Sequence, residues 1–345
     1  MNMEIGSEFY ICDENPGQGL KWSKDLDKSA FVFSGRTAIE LAIKSILKEK
    51  TVRKALLPSY CCDSMIQPFH DQDITVSFYD INYRDECLDI NLKLTNEVDV
   101  IVWCNYFGFT IPMPHLFDFK DRGGIVIEDI THSLLSETPY HGQSDYLVAS
   151  LRKWGPMICG GYCAALNGEL LQTDYPSPPS SFIKARIEAM EMKRDYLVSN
   201  GSIQKTEFLS NYHRSNEWLA SHYHGLSIDE GSRQYILNTD FEAHRMIRRA
   251  NAHTLYEGIS GCTNIKPLFR EDRMDCPLFL PIIVEGGGRS AIHQRLIENN
   301  VYCPIHWPRP SNECVSNLYN EELSLICDQR YTESDMRRLL SILLS

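Results

Sequence analysis

Short, uninterrupted apolar runs alternate with amphipathic stretches through the first two thirds of the sequence, and this alternation constrains the fold most. Runs such as 98–103 and 125–127 have the length and the β-branched or aromatic content of strands. Over residues 36–49, apolar residues recur at helical spacing. Because fully apolar strands separated by helices are typical of a parallel sheet covered on both faces, we expect an α/β fold with a mainly parallel sheet.

The same patterns give an element map and a domain division. The predicted strands are 55–57, 75–79, 98–103, 125–127, 146–148, 162–166 and 279–284, and the predicted helices are 36–49, 64–69, 240–256, 290–298 and 334–344. Residues 176–181 are rich in proline and serine, which predicts a loop. A helix-rich region follows, and a smaller α/β pattern begins near residue 264. We therefore predict a large domain over 1–235 and a small C-terminal domain over 236–345.

Charge and cysteine usage exclude several classes of function. The chain of 345 residues carries 34 basic and 46 acidic side chains, a net charge of −12, whereas proteins that bind nucleic acid are usually basic. No window approaches the roughly 18 apolar residues that span a bilayer, and no secretion signal is recognised, so we expect a cytoplasmic protein without a membrane partner. The twelve cysteines lie mostly in apolar runs without zinc-site spacing, which favours reduced thiols and no bound metal.

A lysine at a strand-to-loop junction is the first feature that could carry chemistry. Ser150 and Lys153 follow a predicted strand, and Gly160-Gly161 comes soon after them. A lysine held in a cleft is a nucleophile toward carbonyl carbons. The ordinary alternative is that Arg152 and Lys153 form a solvated basic pair.

Two further features lie at other element boundaries. Glu128 and Asp129 end a predicted strand, at the edge where ligands collect in α/β sheets, although an acidic residue there is often only a helix cap. The segment Ser34 to Thr37 opens a helix, and such helix starts bind anions, although a simple cap is more common. Together the three features suggest a ligand with a phosphate, an aromatic nitrogen base and an aldehyde. Pyridoxal 5′-phosphate (PLP) has all three.

These residues resemble motifs of a known enzyme family. The matching segments, in order, are Ser34-Gly35, Pro58-Ser59-Tyr60, Ile127-Glu128-Asp129-Ile130-Thr131-His132, Ser150-Leu151-Arg152-Lys153 with Gly160-Gly161, and Cys303-Pro304-Ile305-His306-Trp307-Pro308. On them the chain resembles the fold type I PLP-dependent enzymes, and within these the DegT/DnrJ/StrS family of sugar aminotransferases. The resemblance implies a large domain with a mainly parallel, seven-stranded-type sheet flanked by helices, plus a small C-terminal α/β domain.

The resemblance also implies roles for the site residues. Lys153 would form the Schiff base with PLP and then move the substrate proton, Asp129 would pair with the pyridine nitrogen, and His132 would orient or stack on the ring. The full set of implied cofactor-binding residues is Ser34, Gly35, Arg36, Thr37, Tyr60, Cys62, Asn105, Tyr106, Asp129, His132, Ser150 and Lys153. Lys153, Asp129 and His132 are the implied catalytic residues.

Two positions depart from the family pattern. Arg36 stands where sugar aminotransferases more often have a small residue. Cys62 falls where an aromatic residue usually stacks on the ring, and Tyr60, Asn105 or Tyr106 could face the ring instead.

The resemblance implies an aminotransferase that uses an amino acid, glutamate by expectation, and a keto group on a nucleotide-linked sugar. The product would serve polysaccharide or glycoside biosynthesis. A homodimer is implied, because active sites of this family take residues from two subunits. The alternatives are another fold type I enzyme, such as a lyase or desulfurase, and a non-catalytic PLP-binding or regulatory protein.

Overall fold

The computed structural model describes residues 4–12, 15–20, 28–172, 174–199 and 204–345. Its strands are β1 (Ile5–Gly6), β2 (Ser29–Val32), β3 (Lys54–Pro58), β4 (Thr75–Arg84), β5 (Cys87–Asn91), β6 (Val100–Cys104), β7 (Ile125–Asp129), β8 (Tyr146–Ser150), β9 (Gly161–Ala165), β10 (Ile265–Pro267), β11 (Leu280–Val284), β12 (Val301–Tyr302) and β13 (Glu322–Leu325).

The helices are α1 (Gly35–Glu49), α2 (Asp63–His70), α3 (Phe117–Asp121), α4 (Ser180–Val198), α5 (Lys205–Ser221), α6 (Glu230–Asn238), α7 (Phe241–Ile259), α8 (Arg289–Glu298), α9 (Leu318–Glu321) and α10 (Glu333–Leu343). None of those that the structure describes combines the length and the apolar character needed to cross a bilayer.

The chain divides into two compact units. Unit one consists mainly of Glu8–Lys50 and Tyr146–Phe241, and unit two mainly of Thr51–Asp145 and Glu242–Ser345. Both units are discontinuous in sequence, whereas the predicted domains, 1–235 and 236–345, are continuous. That domain division stays a prediction.

Unit one contains a run of three paired strands, in the order β2-β9-β8. Both pairings are antiparallel, with Phe31 opposite Tyr162 and Val148 opposite Cys163. Strand β9 follows β8 after a short connection without a crossover helix, which is why it runs antiparallel. Helix α1 packs on β8 and β9 and buries its apolar face, while α4 and α5 pack on each other.

Unit two contains a run of five paired strands, in the order β7-β6-β3-β4-β5. The first three pairings are parallel, and Val102 lies opposite Ile127 while Cys104 lies opposite Asp129. Strand β5 is the antiparallel hairpin partner of β4. A separate antiparallel sheet has the order β10-β11-β13, and β1 pairs in parallel with β12.

The α/β class and the packing of helices on the strands are as predicted. The parallel strand pairings are those of β7 with β6, β6 with β3, and β3 with β4. The two runs contain eight strands, three in unit one and five in unit two. Six of them correspond to the predicted strands between 55 and 166. The two others, β2 and β5, were not predicted because they are short and only half-buried, without a continuous apolar run.

Candidate active site

In unit one, α1 begins directly after β2, and Ser34 caps it. The Thr37 backbone N–H donates to Ser34 Oγ at 3.2 Å, and the two side-chain hydroxyl oxygens lie 2.9 Å apart. Thr37 Oγ1 also donates to the Tyr223 carbonyl at 2.7 Å. The hydroxyl groups of Ser34 and Thr37 are therefore both engaged in capping the helix or in bonding to its neighbours, as the helix-cap alternative predicts. The first turn of such a helix also has backbone N–H groups without intrahelical partners, which favour an anion there.

Two glycines allow β8 and β9 to approach the start of α1. A Cβ atom on Gly35 would lie 3.0 Å from Ser150 Cβ, and one on Gly161 would lie 2.0 Å from the Ser34 carbonyl oxygen. Ser150 therefore lies beside the first turn of α1. We call Ser34, Gly35, Thr37 and Ser150 the α1 cradle. The structure brings these four predicted residues together within unit one.

Arg36, the remaining predicted residue of the segment Ser34 to Thr37, is anchored toward the end of α5. Its Nη1 atom donates to the Ala220 carbonyl at 2.9 Å, and its guanidinium carbon lies 5.8 Å from the centre of the Tyr223 ring. These contacts give the side chain a defined role in joining α1 to α5.

Lys153 lies in the single 3₁₀ turn Leu151–Lys153 that follows β8. The turn is held by buried residues on both sides of the lysine, since Leu151 and Trp154 are fully buried. The Leu151 N–H donates to the Gly160 carbonyl at 3.0 Å, and the Trp154 N–H donates to the Leu151 carbonyl at 3.0 Å. The backbone that carries the half-buried Lys153 side chain is thus fixed by packing and by hydrogen bonds.

In unit two, Asp129 is the last residue of β7 and is 9% exposed. Its Oδ1 atom accepts the Thr131 backbone N–H at 2.8 Å, and its carbonyl accepts the Asn105 N–H at 3.2 Å. These bonds orient the carboxylate at the carboxyl end of a parallel strand, where ligands of α/β proteins bind.

The neighbouring carboxylate, Glu128, is completely buried and stabilises the surrounding fold. Its Oε1 atom lies 2.7 Å from His141 Nδ1 and accepts the Asn105 amide N–H at 2.7 Å. Burial lowers the pKa of His141, but the hydrogen bond and the charge of Glu128 outweigh it, so the net pKa is raised. The Asn105 amide also donates to Ser133 Oγ at 3.1 Å and to the Pro139 carbonyl at 3.2 Å.

His132 belongs to an aromatic cluster in unit two. The aromatic cluster consists of Tyr60, Tyr106, Phe107, His132, His306 and Trp307. The His132 ring is 2% exposed, and its centre lies 5.7 Å from that of Trp307 in a stacked arrangement. The Phe107 backbone N–H donates to His132 Nδ1 at 3.1 Å, so the neutral ring carries its proton on Nε2.

Tyr60 and Tyr106 are also members of the aromatic cluster, with ring centres 5.7 Å apart. Tyr106 Oη donates to the Tyr60 carbonyl at 2.6 Å, and Tyr60 Oη donates to the His306 carbonyl. Burial raises the pKa of both phenols well above the ordinary value, so both stay protonated near neutral pH. Cys62 is half-buried at the start of α2, and its Sγ atom lies 2.8 Å from Ser64 Oγ.

Two buried groups of this unit were not among the predicted site residues. His306 Nδ1 lies 2.7 Å from Ser324 Oγ, and Glu322 Oε2 accepts the His306 backbone N–H at 3.0 Å. Burial raises the pKa of Glu322 to about 8. The motif around His306 and Trp307 was visible in the sequence, but nothing in the residues near Glu322 marks it as a neighbour of Tyr60 and His306. Among the described residues, no cluster of metal-ligating side chains is found.

The sequence matches no protein-family model. It also matches no curated protein. Its structure is similar to several solved ones. PseC of Helicobacter pylori, an aminotransferase involved in the biosynthesis of pseudoaminic acid, is 12% identical, with a TM-score of 0.65 over 99% of this chain and 98% of that one.

Two more similar structures are CalS13 and Spr1654. CalS13 of Micromonospora echinospora, a sugar aminotransferase, is 14% identical, with a TM-score of 0.60 over 93% and 89% of the two chains. Spr1654 of Streptococcus pneumoniae, in its PLP form, is 10% identical, with a TM-score of 0.63 over 99% and 98%. The chain therefore has the fold type I architecture of these proteins, as the resemblance implied.

Proposed function

We propose that this protein is a PLP-dependent aminotransferase. It would take the amino group of an amino acid, glutamate by preference, and transfer it to the keto group of a nucleotide-linked sugar. The observation that carries the proposal is the segment from Ser150 to Lys153. A serine packed against the first turn of α1 is followed three residues later by a lysine on a rigid turn, in a chain whose fold is similar to that of the sugar aminotransferase CalS13.

The donor groups of the chain fit the chemical parts of PLP. The α1 cradle offers the N-terminal end of a helix to a phosphate, and a side chain at Gly35 would crowd the approach of Ser150. Asp129 offers a carboxylate that suits a protonated pyridine nitrogen. Lys153 offers an amine that suits an aldehyde.

Each residue of the proposed site would have its own role in the reaction. Lys153 would accept the proton that leaves the substrate α-carbon and would hold it for the next proton transfer. Asp129 holds a negative charge that keeps the ring nitrogen protonated. Tyr60 and Tyr106, as neutral phenols, and the His132 ring form an aromatic wall. When bound, PLP supplies the aldehyde that condenses with amines and the ring that accepts the electrons of the broken C–H bond.

The finer parts of the proposal concern the substrate, the assembly and the location. A sugar acceptor is supported by the similar structures, since CalS13 is described as a sugar aminotransferase and DesI was solved in the presence of its TDP-sugar product. We further propose a homodimer and a cytoplasmic location. Sedimentation analysis of the purified protein tests the first, and fractionation of the native cells tests the second.

Absorption spectroscopy of the purified protein tests the cofactor and the lysine together. Wild-type protein with PLP should show a visible absorption band that bleaches when glutamate is added, with one 2-oxoglutarate released per bound cofactor. Lys153→Ala should lack the band and should react with glutamate at least about 100-fold more slowly than wild type. Lys184→Ala is the matched control, because Lys184 is exposed on α4.

The results also separate the alternatives. A band that does not respond to glutamate or any other amino acid would contradict transamination and support the non-catalytic protein. Bleaching with release of pyruvate or sulfide, without 2-oxoglutarate, would identify a lyase or desulfurase. No band in wild-type protein saturated with PLP would overturn the whole proposal.

A further inference from the structure

Three polar side chains of unit two form a continuous, buried chain of hydrogen bonds. Glu322 and Ser324 lie two residues apart on β13, so their side chains point to the same side of the strand, and both are completely buried. Ser324 Oγ bonds to Glu322 Oε1, and it also lies 2.7 Å from Nδ1 of His306, which is 7% exposed. We call Glu322, Ser324 and His306 the relay chain. The proposed reaction uses none of the three.

The backbone and the ring of His306 are both held in place. Glu322 Oε2 accepts the His306 backbone N–H at 3.0 Å, and the His306 carbonyl accepts from Tyr60 Oη. The ring packs against Phe279, with ring centres 5.0 Å apart. The bond between Nδ1 and Ser324 is therefore part of a fixed arrangement, and one carboxyl group contacts both the backbone of His306 and, through Ser324, its ring.

The Ser324 hydroxyl has a single proton, which limits the relay chain to two hydrogen-bonding states. If Glu322 is ionised, Ser324 donates to Oε1, and Nδ1 of His306 must carry a proton that it donates to Ser324. If Glu322 is protonated, its carboxyl group donates to Ser324, Ser324 donates to Nδ1, and the neutral ring carries its proton on Nε2. The protonation state of Glu322 therefore determines the tautomer of His306.

Glu322 changes its protonation state within an accessible pH range. Burial raises its pKa to about 8, although the charge of Arg289 and the hydrogen bonds from Ser324, His306 and Tyr60 oppose this effect. At neutral pH most of the Glu322 carboxyl groups are thus protonated in the folded protein.

The neighbouring elements also bring titratable groups to the relay chain. These are the Tyr60 and Tyr319 phenols, the Cys303 thiol and the His132 imidazole, whose ring centre lies 5.9 Å from that of His306. Burial raises the pKa of both phenols well above the ordinary value and the pKa of the thiol to about 12. Glu322 therefore ionises at lower pH than the phenols and the thiol.

We propose that Glu322 and Ser324 act as a tautomer switch for His306, which decides whether its Nε2 atom donates or accepts a hydrogen bond in the aromatic cluster. In the protonated state Nε2 carries the ring proton and is a donor. When the relay chain loses one proton, that proton leaves from Nε2, while the carboxyl and hydroxyl protons each move one step toward Nδ1. Nε2 then becomes an acceptor. Glu322 and Ser324 are positioning residues, because they act through His306.

Long-range ¹H–¹⁵N correlation spectra of the full-length protein, labelled with ¹⁵N-histidine, test the switch, because protonated and unprotonated ring nitrogens have well-separated shifts. In wild type the Nδ1 and Nε2 signals of His306 should exchange character between about pH 7 and about pH 9. His306→Gln identifies these signals by their loss. His132 is the internal reference, since its Nδ1 atom accepts the Phe107 N–H and its signals should not exchange.

Two variants separate the switch from a purely structural network. Glu322→Gln keeps the shape of the side chain but cannot ionise, so His306 should keep one tautomer across this pH range. Ser324→Ala interrupts the relay chain, so the His306 tautomer should no longer follow Glu322, and this variant serves if Glu322→Gln fails to fold. Glu298→Gln, which removes an exposed carboxylate of the same unit, is the matched control and should show the wild-type exchange.

The spectra require no turnover, so the switch does not depend on the proposed function, and a protein that does not react with glutamate can still show it. Exchange in wild type that is lost in Glu322→Gln and in Ser324→Ala would support the switch. An Nδ1 atom whose protonation is the same at both pH values in wild type would overturn it, and so would an exchange that persists in Glu322→Gln.

Discussion

The His141 imidazole and the Glu128 carboxylate form a hydrogen-bonded pair in which Nδ1 lies 2.7 Å from Oε1. The carboxylate is completely buried, and the His141 backbone N–H also donates to it, at 2.9 Å. The pair therefore ties the loop after β7 to the strand that ends in Asp129. Two successive acidic residues thus have different roles, since Glu128 stabilises the scaffold and Asp129 lies at the end of the strand.

The first prediction concerns the pH dependence of this pair. The pKa of folded His141 is raised above its unfolded value of about 6.5, because Glu128 outweighs the effect of burial. Its stabilising contribution is therefore complete below about pH 6.5 and is lost as pH rises through the folded pKa. His141→Gln should destabilise the protein more at about pH 6 than at about pH 9, as measured by urea unfolding.

The exposed His115 provides the control for that experiment. His115→Gln should leave the free energy of unfolding within about 0.5 kcal/mol of wild type at both pH values. A His141→Gln effect that is the same at both pH values would show that the charge of His141 does not contribute.

The second prediction concerns the close approach of β9 to α1. A methyl group on Gly161 would lie 2.0 Å from the Ser34 carbonyl oxygen, so the backbone must shift. Gly161→Ala should lower the free energy of unfolding by about 1–3 kcal/mol, the usual cost of overpacking. Because the shift displaces the α1 cradle, the purified variant should also retain less PLP. Denaturant unfolding and cofactor content are the measurements.

Gly142→Ala is the matched control, because a Cβ atom there meets nothing within 4 Å. It should change the free energy of unfolding by less than about 0.5 kcal/mol. Equal stability and cofactor content in the Gly161→Ala and Gly142→Ala variants would contradict the importance of this contact.

Local patterns predicted much of the fold. Apolar periodicity predicted a helix over 36–49, and α1 is Gly35–Glu49; a continuous apolar run predicted the strand that becomes β7. These signals are strong because each element buries its own apolar face. The same logic placed Asp129 at a strand end and Lys153 after one.

Contacts that are distant in sequence were not predictable. Tyr60 donates to the carbonyl of His306, 246 residues further along the chain, and no local pattern encodes that pairing. Glu322 lies in the short strand β13, whose four residues give no clear period. The buried hydrogen bond from Asn105 to Glu128 was equally unpredictable, because the sequence does not show which polar side chains point into the core.

The third prediction concerns Asp129. Asn at this position keeps an oxygen that can accept the Thr131 N–H, which now donates to Oδ1 at 2.8 Å, but removes the negative charge. If Asp129 keeps the pyridine nitrogen of PLP protonated, Asp129→Asn should still bind PLP but should slow the reaction with glutamate sharply. Stopped-flow absorbance of the PLP-saturated variant measures this rate. Asp118→Asn, an exposed change in the same unit, should react as wild type does.

An undiminished rate in Asp129→Asn would remove Asp129 from the site. Loss of PLP binding together with a large loss of stability would instead assign it a structural role, like that of Glu128.

The fourth prediction concerns Glu322, which is fully buried beside Tyr60 and His306. Burial raises its pKa to about 8, whereas an unfolded glutamate titrates near about 4.3. Between these values the folded state binds more protons than the unfolded state, so the free energy of unfolding falls as pH rises, by at most about 1.4 kcal/mol per pH unit. Glu322→Gln resembles the protonated form and should lose this dependence.

The measurement is the free energy of unfolding of both proteins in steps from about pH 5 to about pH 9. Wild type and Glu322→Gln should be nearly equal in stability at the acidic end, where Glu322 is protonated in the folded state. The variant should become progressively more stable than wild type toward the alkaline end. Parallel curves for the two proteins would mean that Glu322 is ionised in the folded state, held by Arg289 and by the hydrogen bonds from Ser324 and His306.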